Sequence, residues 1–308
     1  MKGIEIKVIG VGGSGGNAIH RMSKTKPKDV TLIAVNSDLQ DLKKINADIK
    51  IQIGKKTTKG FGCGMNPKLG ELSAKEQAQE IENLLKNTEL VFITCGLGGG
   101  TGSGAAPIIA DIAKNKVGAL TIGIVTMPFS FEGKKRREIA KRARTKLLRN
   151  VDSLIVVEND NLLKIIKETI EVEKAFLLCD KVLNDAVMGI IDLLKEPGLI
   201  NVDLNDIKEI LKDAGYAILG IGEAQGKEKI DKTVQEVISS PLLNYSLKNA
   251  KRLLFNIFAD RNLTLQEVNT IAQKLSQYAN SSAKIIFGTT FWNKNNSLRI
   301  ILVASELN

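Results

Sequence analysis

The sequence predicts an α/β protein: a doubly wound parallel sheet, joined by a long central helix to a smaller α+β domain with a four-stranded sheet. Three observations carry this expectation. Apolar strand-like runs alternate with helical patterns through the first half of the chain, the mark of βαβ units. One helical pattern, Glu173 to Glu196, is much longer than its neighbours. After it the chain returns to short strand and helix runs and ends on two strands in succession.

The elements follow in order. "IEIKVIGVG" is a buried strand, and Glu5 and Lys7 inside it argue against a secretory leader. The turn "GGSGGN" comes next. "TLIAVNSD" is a second strand ending at Asp38, and "KIQIG" a short third. "GELSAKEQAQEIENLLKN" reads as helix. "LVFITCG" is a strand that hands over to "GLGGGTGSG" and then to the helical "APIIADIAK". "GALTIGIVTMPF" (strand), "EIAKRARTKLLRNV" (helix) and "SLIVVEND" (strand) complete a first domain, residues 1–172. In the connecting helix, 173–196, Phe176, Val182, Leu183, Val187, Ile190, Ile191 and Leu194 recur at helical spacing, and Pro197-Gly198 ends it. The last domain, 197–308, reads "YAILGIGEA" (strand), "IDKTVQEVISS" (helix), "KRLLFNIFAD" (strand) and "TLQEVNTIAQKLSQYA" (helix). Two strands, "AKIIFGTTFW" and "LRIILVAS", follow, joined through "NKNNS".

Composition narrows the function classes. With 308 residues, 43% hydrophobic and 25% charged, either half can bury a core. No stretch of about twenty uncharged apolar residues occurs, which argues against membrane insertion. Cys63, Cys95 and Cys179 are isolated and His20 is the sole histidine. That argues against a zinc site or Cys–His catalysis and for a reducing compartment. The net charge is +10, but the lysines are scattered apart from "EGKKRR" at Glu132–Arg137, and aromatics are only 4%. Stacking platforms for single-stranded nucleic acid are therefore scarce. Weak attraction to acidic surfaces is expected, and a specific nucleic-acid partner is not.

The glycine turns carry the chemistry. "GLGGGTGSGAAP" gives up side chains where a strand hands over to a helix. Such a turn aims backbone N–H groups at the positive end of a helix dipole, and that combination binds phosphate. A tight turn without a ligand is the bland alternative. "GVGGSG", Gly10 to Gly15, fits the dinucleotide fingerprint, with Asp38 about twenty residues on to hold a ribose. Taken alone it suggests a dinucleotide-dependent oxidoreductase, but that leaves the second glycine turn without a role. The Walker pattern is absent. Two glycine loops at one sheet edge can instead surround a triphosphate from both sides.

"GGGTGSG", Gly98 to Gly104, resembles the signature of the tubulin superfamily, and the rest resembles its bacterial cell-division branch, the FtsZ family. The supporting stretches run from about Lys7 to about Ser305 and keep the family's order. They include "KVIGVGGSGGNA", "KGFGCGMNP", "FITCGLGGGTGSGAAP", "TMPFSFEGKKRR", "LIVVENDNLL", "PGLINVDLND" and "SSPLL".

The resemblance implies a GTP-binding first domain and a GTPase, with GTP or GDP and Mg²⁺ as cofactors. No dedicated metal site is implied, because the ion would be held mainly by the phosphates. Gly12, Gly13, Ser14, Gly15, Gly16 and Asn17 would line the phosphates, with Gly98, Gly99, Gly100, Thr101, Gly102 and Ser103 opposite. "KGFGCGMNP" would lie near the terminal phosphate, with Cys63 and Met65 in place of the family's smaller residues. Glu132 and Arg136 would reach the ribose and phosphates, although the residues alone favour a solvated helix start. Met127 stands where the family often has lysine. Asn159 would hold the sugar or base. Phe176 would stack on the base while Asp180, one turn on, accepts its N–H donors; core packing and a surface charge are the alternatives.

The first half offers no evident base for hydrolysis. Asp203 and Asp206 in "GLINVDLND" are the best carboxylates, although taken alone they read as routine N-capping. The loop follows a helix of about 30 Å that carries the chain away from the base. The resemblance implies that subunits stack head to tail. The loop of one, with Asn201 in support, would then complete the site of the next. Such a contact does not close and makes filaments. Asn205 replaces the family's usual alanine. A nucleotide-gated filament with negligible hydrolysis stays open as a third class. The resemblance also implies self-assembly as the main partnership, other division proteins including membrane adaptors and assembly regulators, and a place in the cytoplasm at the mid-cell division ring.

Overall fold

The computed structural model describes residues 4–163, 171–195, 198–240 and 246–307. These fall into two compact units, divided between Val187 and Met188.

The first unit is built on six parallel strands: β1 (Ile6–Val11), β2 (Val30–Asn36), β3 (Ile49–Gln52), β4 (Leu90–Gly96), β5 (Leu120–Met127) and β6 (Ser153–Glu158). Their order across the sheet is β3-β2-β1-β4-β5-β6. Strands β1, β4 and β5 are nearly continuous apolar runs because helices cover both faces of such a sheet; Phe92, Ile93, Ile122 and Ile124 are fully buried. The helices are α1 (Gly12–Met22), α2 (Leu39–Lys44), α3 (Pro67–Glu76), α4 (Ala78–Leu85), α5 (Thr101–Asp111), α6 (Lys134–Leu148) and α7 (Asn159–Leu163). The single helix expected from Gly70 to Asn87 is two, broken at Gln77, whose side-chain oxygen instead accepts the Gly54 N–H at 2.7 Å. The turn "GGSGGN" is the first turn and a half of α1 itself.

Helix α8 (Val172–Lys195) matches the long pattern, and its expected end at Glu196 and Pro197 lies outside the described residues. The sequence sets off 173–196 as a separate connector, whereas the two units divide within it. Ala175, Cys179 and Leu183 are buried in its first half. In its second half Gly189 leaves room for Ile221 and Ile301, and Asp192 pairs with Arg299.

The second unit holds β7 (Gly198–Ile200), α9 (Leu204–Leu211), β8 (Gly215–Gln225), α10 (Lys229–Ile238), β9 (Arg252–Ala259), α11 (Leu265–Ser276), β10 (Lys284–Phe291) and β11 (Ser297–Ser305). The four expected strands run β8-β11-β9-β10, and the three-residue β7 adds a fifth, antiparallel to β10. Although a short turn joins β10 and β11, they do not pair. Strand β9 lies between them, parallel to β10 and antiparallel to β11. Its core gathers Val237, Phe255, Ile257, Ile271, Ile300 and Leu302.

Candidate active site

Strand order in the first unit reverses between β1 and β4. In a doubly wound sheet a crevice opens at that point, beyond the carboxyl ends of the strands. Both glycine turns sit there, because β1 leads into α1 and β4 into α5. A cleft of about 620 Å³ occupies the position, and all its lining residues come from the first unit.

Two helix N-termini face this cleft. Gly12 opens α1 with φ of +74°, a conformation that a side chain would strain. A Cβ at Gly15 would lie 2.4 Å from the Thr94 carbonyl oxygen, so glycine lets α1 settle against β4. Neither α1 nor α5 has a side-chain cap, and neither carries an acid in its first turn. The first N–H groups of a helix have no intrahelical partner. Those of Gly12, Gly13 and Ser14, and of Thr101 and Gly102, are therefore left for an external anion, and all five residues line the cleft. The second turn is braced from within. Gly98 N–H donates to Ser103 Oγ (2.8 Å), Gly100 N–H to the Gly64 carbonyl (2.8 Å), and Leu97 N–H to the Thr126 carbonyl (2.9 Å). Thr101 Oγ1 hydrogen-bonds Ser37 Oγ at 2.7 Å, which also accepts from Cys63 Sγ at 3.2 Å.

The other end of the cleft is aromatic and polar. Phe176 meets Phe129 edge to face at 5.6 Å and stays 40% exposed, leaving ring surface for a ligand. Asp180, one turn on, is buried, and its carboxyl is raised to about 6. Burial is the dominant cause; the charge of Arg21 and a hydrogen bond from Asn17 act in the opposite direction. Among the described residues the Oδ1 atom of buried Asn159 has no partner. A buried acceptor left open costs free energy unless a ligand donor meets it. Phosphate donors at one end, and a ring, a carboxylate and an open carbonyl at the other, fit a nucleotide.

The comparisons with known proteins agree. The model described as "Tubulin/FtsZ family, GTPase domain" matches residues 5–167, more than half of the chain. The chain belongs to the tubulin/FtsZ family. The "FtsZ family, C-terminal domain" model matches residues 215–308. Two curated relatives named cell division protein FtsZ are similar over 98% of this chain and 79% of their own length. They come from Buchnera aphidicola subsp. Baizongia pistaciae, 43% identical, and subsp. Schizaphis graminum, 41% identical. A solved FtsZ dimer from M. jannaschii is 39% identical, with a TM-score of 0.93 over 100% of this chain and 89% of that one. CetZ2 from Haloferax volcanii, solved as a GTPγS-bound protofilament, is 20% identical, with a TM-score of 0.83 over 99% of this chain and 95% of that one. It shares the fold. Membership of the tubulin/FtsZ family makes this chain a guanine-nucleotide-binding GTPase and a filament-forming cytoskeletal protein.

Of the residues that the family resemblance singled out, Gly12, Gly13, Ser14, Asn17, Gly99, Gly100, Thr101, Gly102, Glu132, Arg136, Asn159, Phe176 and Asp180 line the cleft. Gly15, Gly16, Gly98 and Ser103 do not; they pack or brace the turns behind it. Glu132 and Arg136 pair with each other, and Glu132 Oε1 accepts the Phe129 N–H at 2.8 Å. Met127 is fully buried in β5 and does not line the cleft. Cys63 is buried beneath its loop, whereas its neighbour Phe61 is 88% exposed. Asp38 lines the cleft, but its Oδ1 caps α2 through Gln40 and Asp41 N–H, which weakens the ribose role that a dinucleotide enzyme needs. Sequence reasoning passed over Thr126, Pro128 and Asn36 in the lining, and also Arg21. Only the i, i+4 spacing of Asn17 and Arg21 on α1 hinted at the last of these.

In the second unit, Asp203 and Asp206 form a reciprocal capping box at the start of α9. Asp203 Oδ1 accepts the N–H groups of Asn205 (2.7 Å) and Asp206 (3.0 Å), and Asp206 Oδ2 accepts the Asp203 N–H (2.9 Å). Asn201 Oδ1 accepts the Gly198 N–H at 2.8 Å. Each aspartate spends one carboxylate oxygen on the box and keeps the other.

Proposed function

We propose that this chain is a division-ring GTPase whose hydrolytic site is completed by the next subunit in a head-to-tail filament. The observation that supports this reading is the state of the carboxylates in the cleft. Asp38 caps α2, Asp41 pairs with Lys44, Glu132 is tied to Arg136, and Asp180 lies at the base end. Each already serves a helix cap, an ion pair or the base end of the cleft within its own subunit.

In the proposed cycle, N–H groups of the α1 and α5 first turns hold the phosphates, and Phe176, Asp180 and Asn159 hold the guanosine. Guanine offers N1–H and N2–H₂ to the Asp180 carboxylate, whereas adenine offers a bare acceptor that the carboxylate repels. Among the described residues no cluster of three or more His, Cys, Asp or Glu could hold a metal alone. An Mg²⁺ held by the phosphates would neutralise part of their charge. Asp203 and Asp206 of the neighbour orient the water with their second oxygens, and Asn201 supports their loop. Water attacks the terminal phosphorus, the bond to the bridging oxygen breaks, and GDP and phosphate result. Membrane adaptors and assembly regulators are the further partners of this reading, and the cytoplasmic side of the mid-cell ring is its place.

Phosphate release from GTP, followed across protein concentrations, tests the proposal. Turnover per molecule should rise steeply as filaments form. Turnover that does not depend on concentration rejects a shared site, and NAD(H) binding without GTP hydrolysis rejects the GTPase reading.

A further inference from the structure

A second cavity of about 480 Å³ lies between α3, α5 and α6, outside the nucleotide cleft. That is within the range of small-molecule sites. Its apolar lining is Pro67, Pro107, Ile108, Ile139 and Ala143. Its charged lining is Lys68, Arg142, Lys146 and Arg149, with Glu71 as the one acid.

The charges are not balanced within the protein. Glu71 already holds Lys75 at 2.6 Å, and Lys146 stands off at 3.7 Å. Arg142 and Arg149 have no acidic partner among the described residues. Arg142, Lys146 and Arg149 fall at i, i+4 and i+7, so α6 and its end present one cationic stripe. Like charges at that spacing cost helix stability, each by a few tenths of a kcal/mol. An anion in the groove would relieve that repulsion, and a guanidinium pairs with a carboxylate or phosphate through two parallel hydrogen bonds. Ile139 and Ala143 lie on the same face of α6 as the cations. Charge and apolar surface therefore meet in one pocket.

We propose that this groove is a binding site for a small amphipathic anion: one acidic group on an apolar or aromatic body. The acid sits between Arg142, Lys146 and Arg149, and the body lies on Ile108, Ile139 and Pro107. Lys146 turns from Glu71 to the ligand, and Glu71 stays neutralised by Lys75. Ser103 both lines this groove and accepts the Gly98 N–H that braces the phosphate turn. An occupant would therefore lie directly behind that turn.

The test is a calorimetric titration of GDP-loaded protein with three probes. 2-Naphthoate carries both features, 2-naphthamide only the apolar body, and inorganic phosphate only the charge. Naphthoate should bind at one site at least ~10-fold more tightly than either of the others. That is the scale of one charge-assisted hydrogen bond. Arg142→Glu with Arg149→Glu should abolish the preference, and the milder Arg142→Gln with Arg149→Gln should cut it if the first pair does not fold. Lys134→Glu with Lys135→Glu makes the same change of net charge on α6 outside the groove and should leave binding within twofold. Equal affinity for naphthoate and naphthamide, equal loss in the Lys134/Lys135 pair, or displacement of naphthoate by added GDP would each overturn the proposal.

Discussion

Helices α1 and α5 of the first unit begin without a side-chain cap and without a first-turn acid. Helices α9 and α11 of the second begin with reciprocal boxes, Asp203 with Asp206 and Thr264 with Glu267. All four helices face the same problem of N–H groups without partners. At α9 and α11 the second unit solves it within its own chain. The first leaves it open, and the open ends converge on a cleft that also holds the exposed face of Phe176 and the unpartnered Asn159 oxygen. Where a fold withholds its caps and gathers the bare ends together, a ligand takes the place of the cap. The box at α9 adds a second lesson. A carboxylate pair can cap a helix with one oxygen each and still offer the other to a neighbouring molecule.

The sharpest way to break this comparison is Asp206→Ala. If the box were only a cap, the loss would be confined to about 1 kcal/mol of stability. If the pair also serves hydrolysis, GTP turnover should fall by roughly 10²–10⁴ while nucleotide affinity stays nearly unchanged. Gly13→Leu is its counterpart. The position of the missing Cβ has no atom within 4 Å, so the side chain should enter the cleft and block it without disturbing the fold. Each variant alone should be nearly inactive. Mixed, the intact loop of the second can complete the bound GTP of the first, and part of the activity should return. No recovery at any ratio in a phosphate-release assay would falsify catalysis in trans.

Asp180→Asn sharpens the base end. The carboxylate gives way to an amide that accepts one hydrogen bond and repels adenine less. Preference for GTP over ATP, measured by calorimetry, should fall by about 10²-fold or more. An unchanged ratio would remove Asp180 from base recognition.

A pH titration tests the same residue more gently. Burial holds the Asp180 carboxyl at about 6 in the free protein. Guanine N–H donors stabilise the ionised form, so binding lowers that raised value. The contribution is therefore fully present above about pH 6. It should be lost as pH falls, by up to about tenfold per unit. GDP affinity of the parent relative to Asp180→Asn isolates it from titration of the phosphates. A flat ratio from pH 7 to 5 rejects the assignment.

The smallest effect should come from the box without a proposed function. Thr264→Ala removes the acceptor for the Glu267 N–H (3.2 Å) and should cost about 1 kcal/mol in urea unfolding. GTP turnover should stay at the parent level. A loss of turnover as large as that of Asp206→Ala would erase the distinction between the two boxes.

Much of this was legible in the sequence because period and glycine placement are local. Alternating apolar runs fixed the six parallel strands, and the two glycine turns marked where phosphate donors would lie. The helix break at Gln77 was not legible, since it depends on a hydrogen bond to Gly54, far away in the chain. The separation of β10 from β11 was hidden for a similar reason. Strand order is set by which faces bury one another, and a short turn does not require pairing.

At the site itself the division is the same. By itself the sequence determined the residue types: bare glycines, an aromatic and a carboxylate one turn apart, and two acids after a long helix. Only the tertiary structure decided which of them share a surface. It turned Gly15, Gly98 and Ser103 into supports, buried Met127, and desolvated Asp180 beside Asn17 and Arg21. Burial and hydrogen-bond partnership depend on segments that meet in space, and no window of sequence contains both sides of such a meeting.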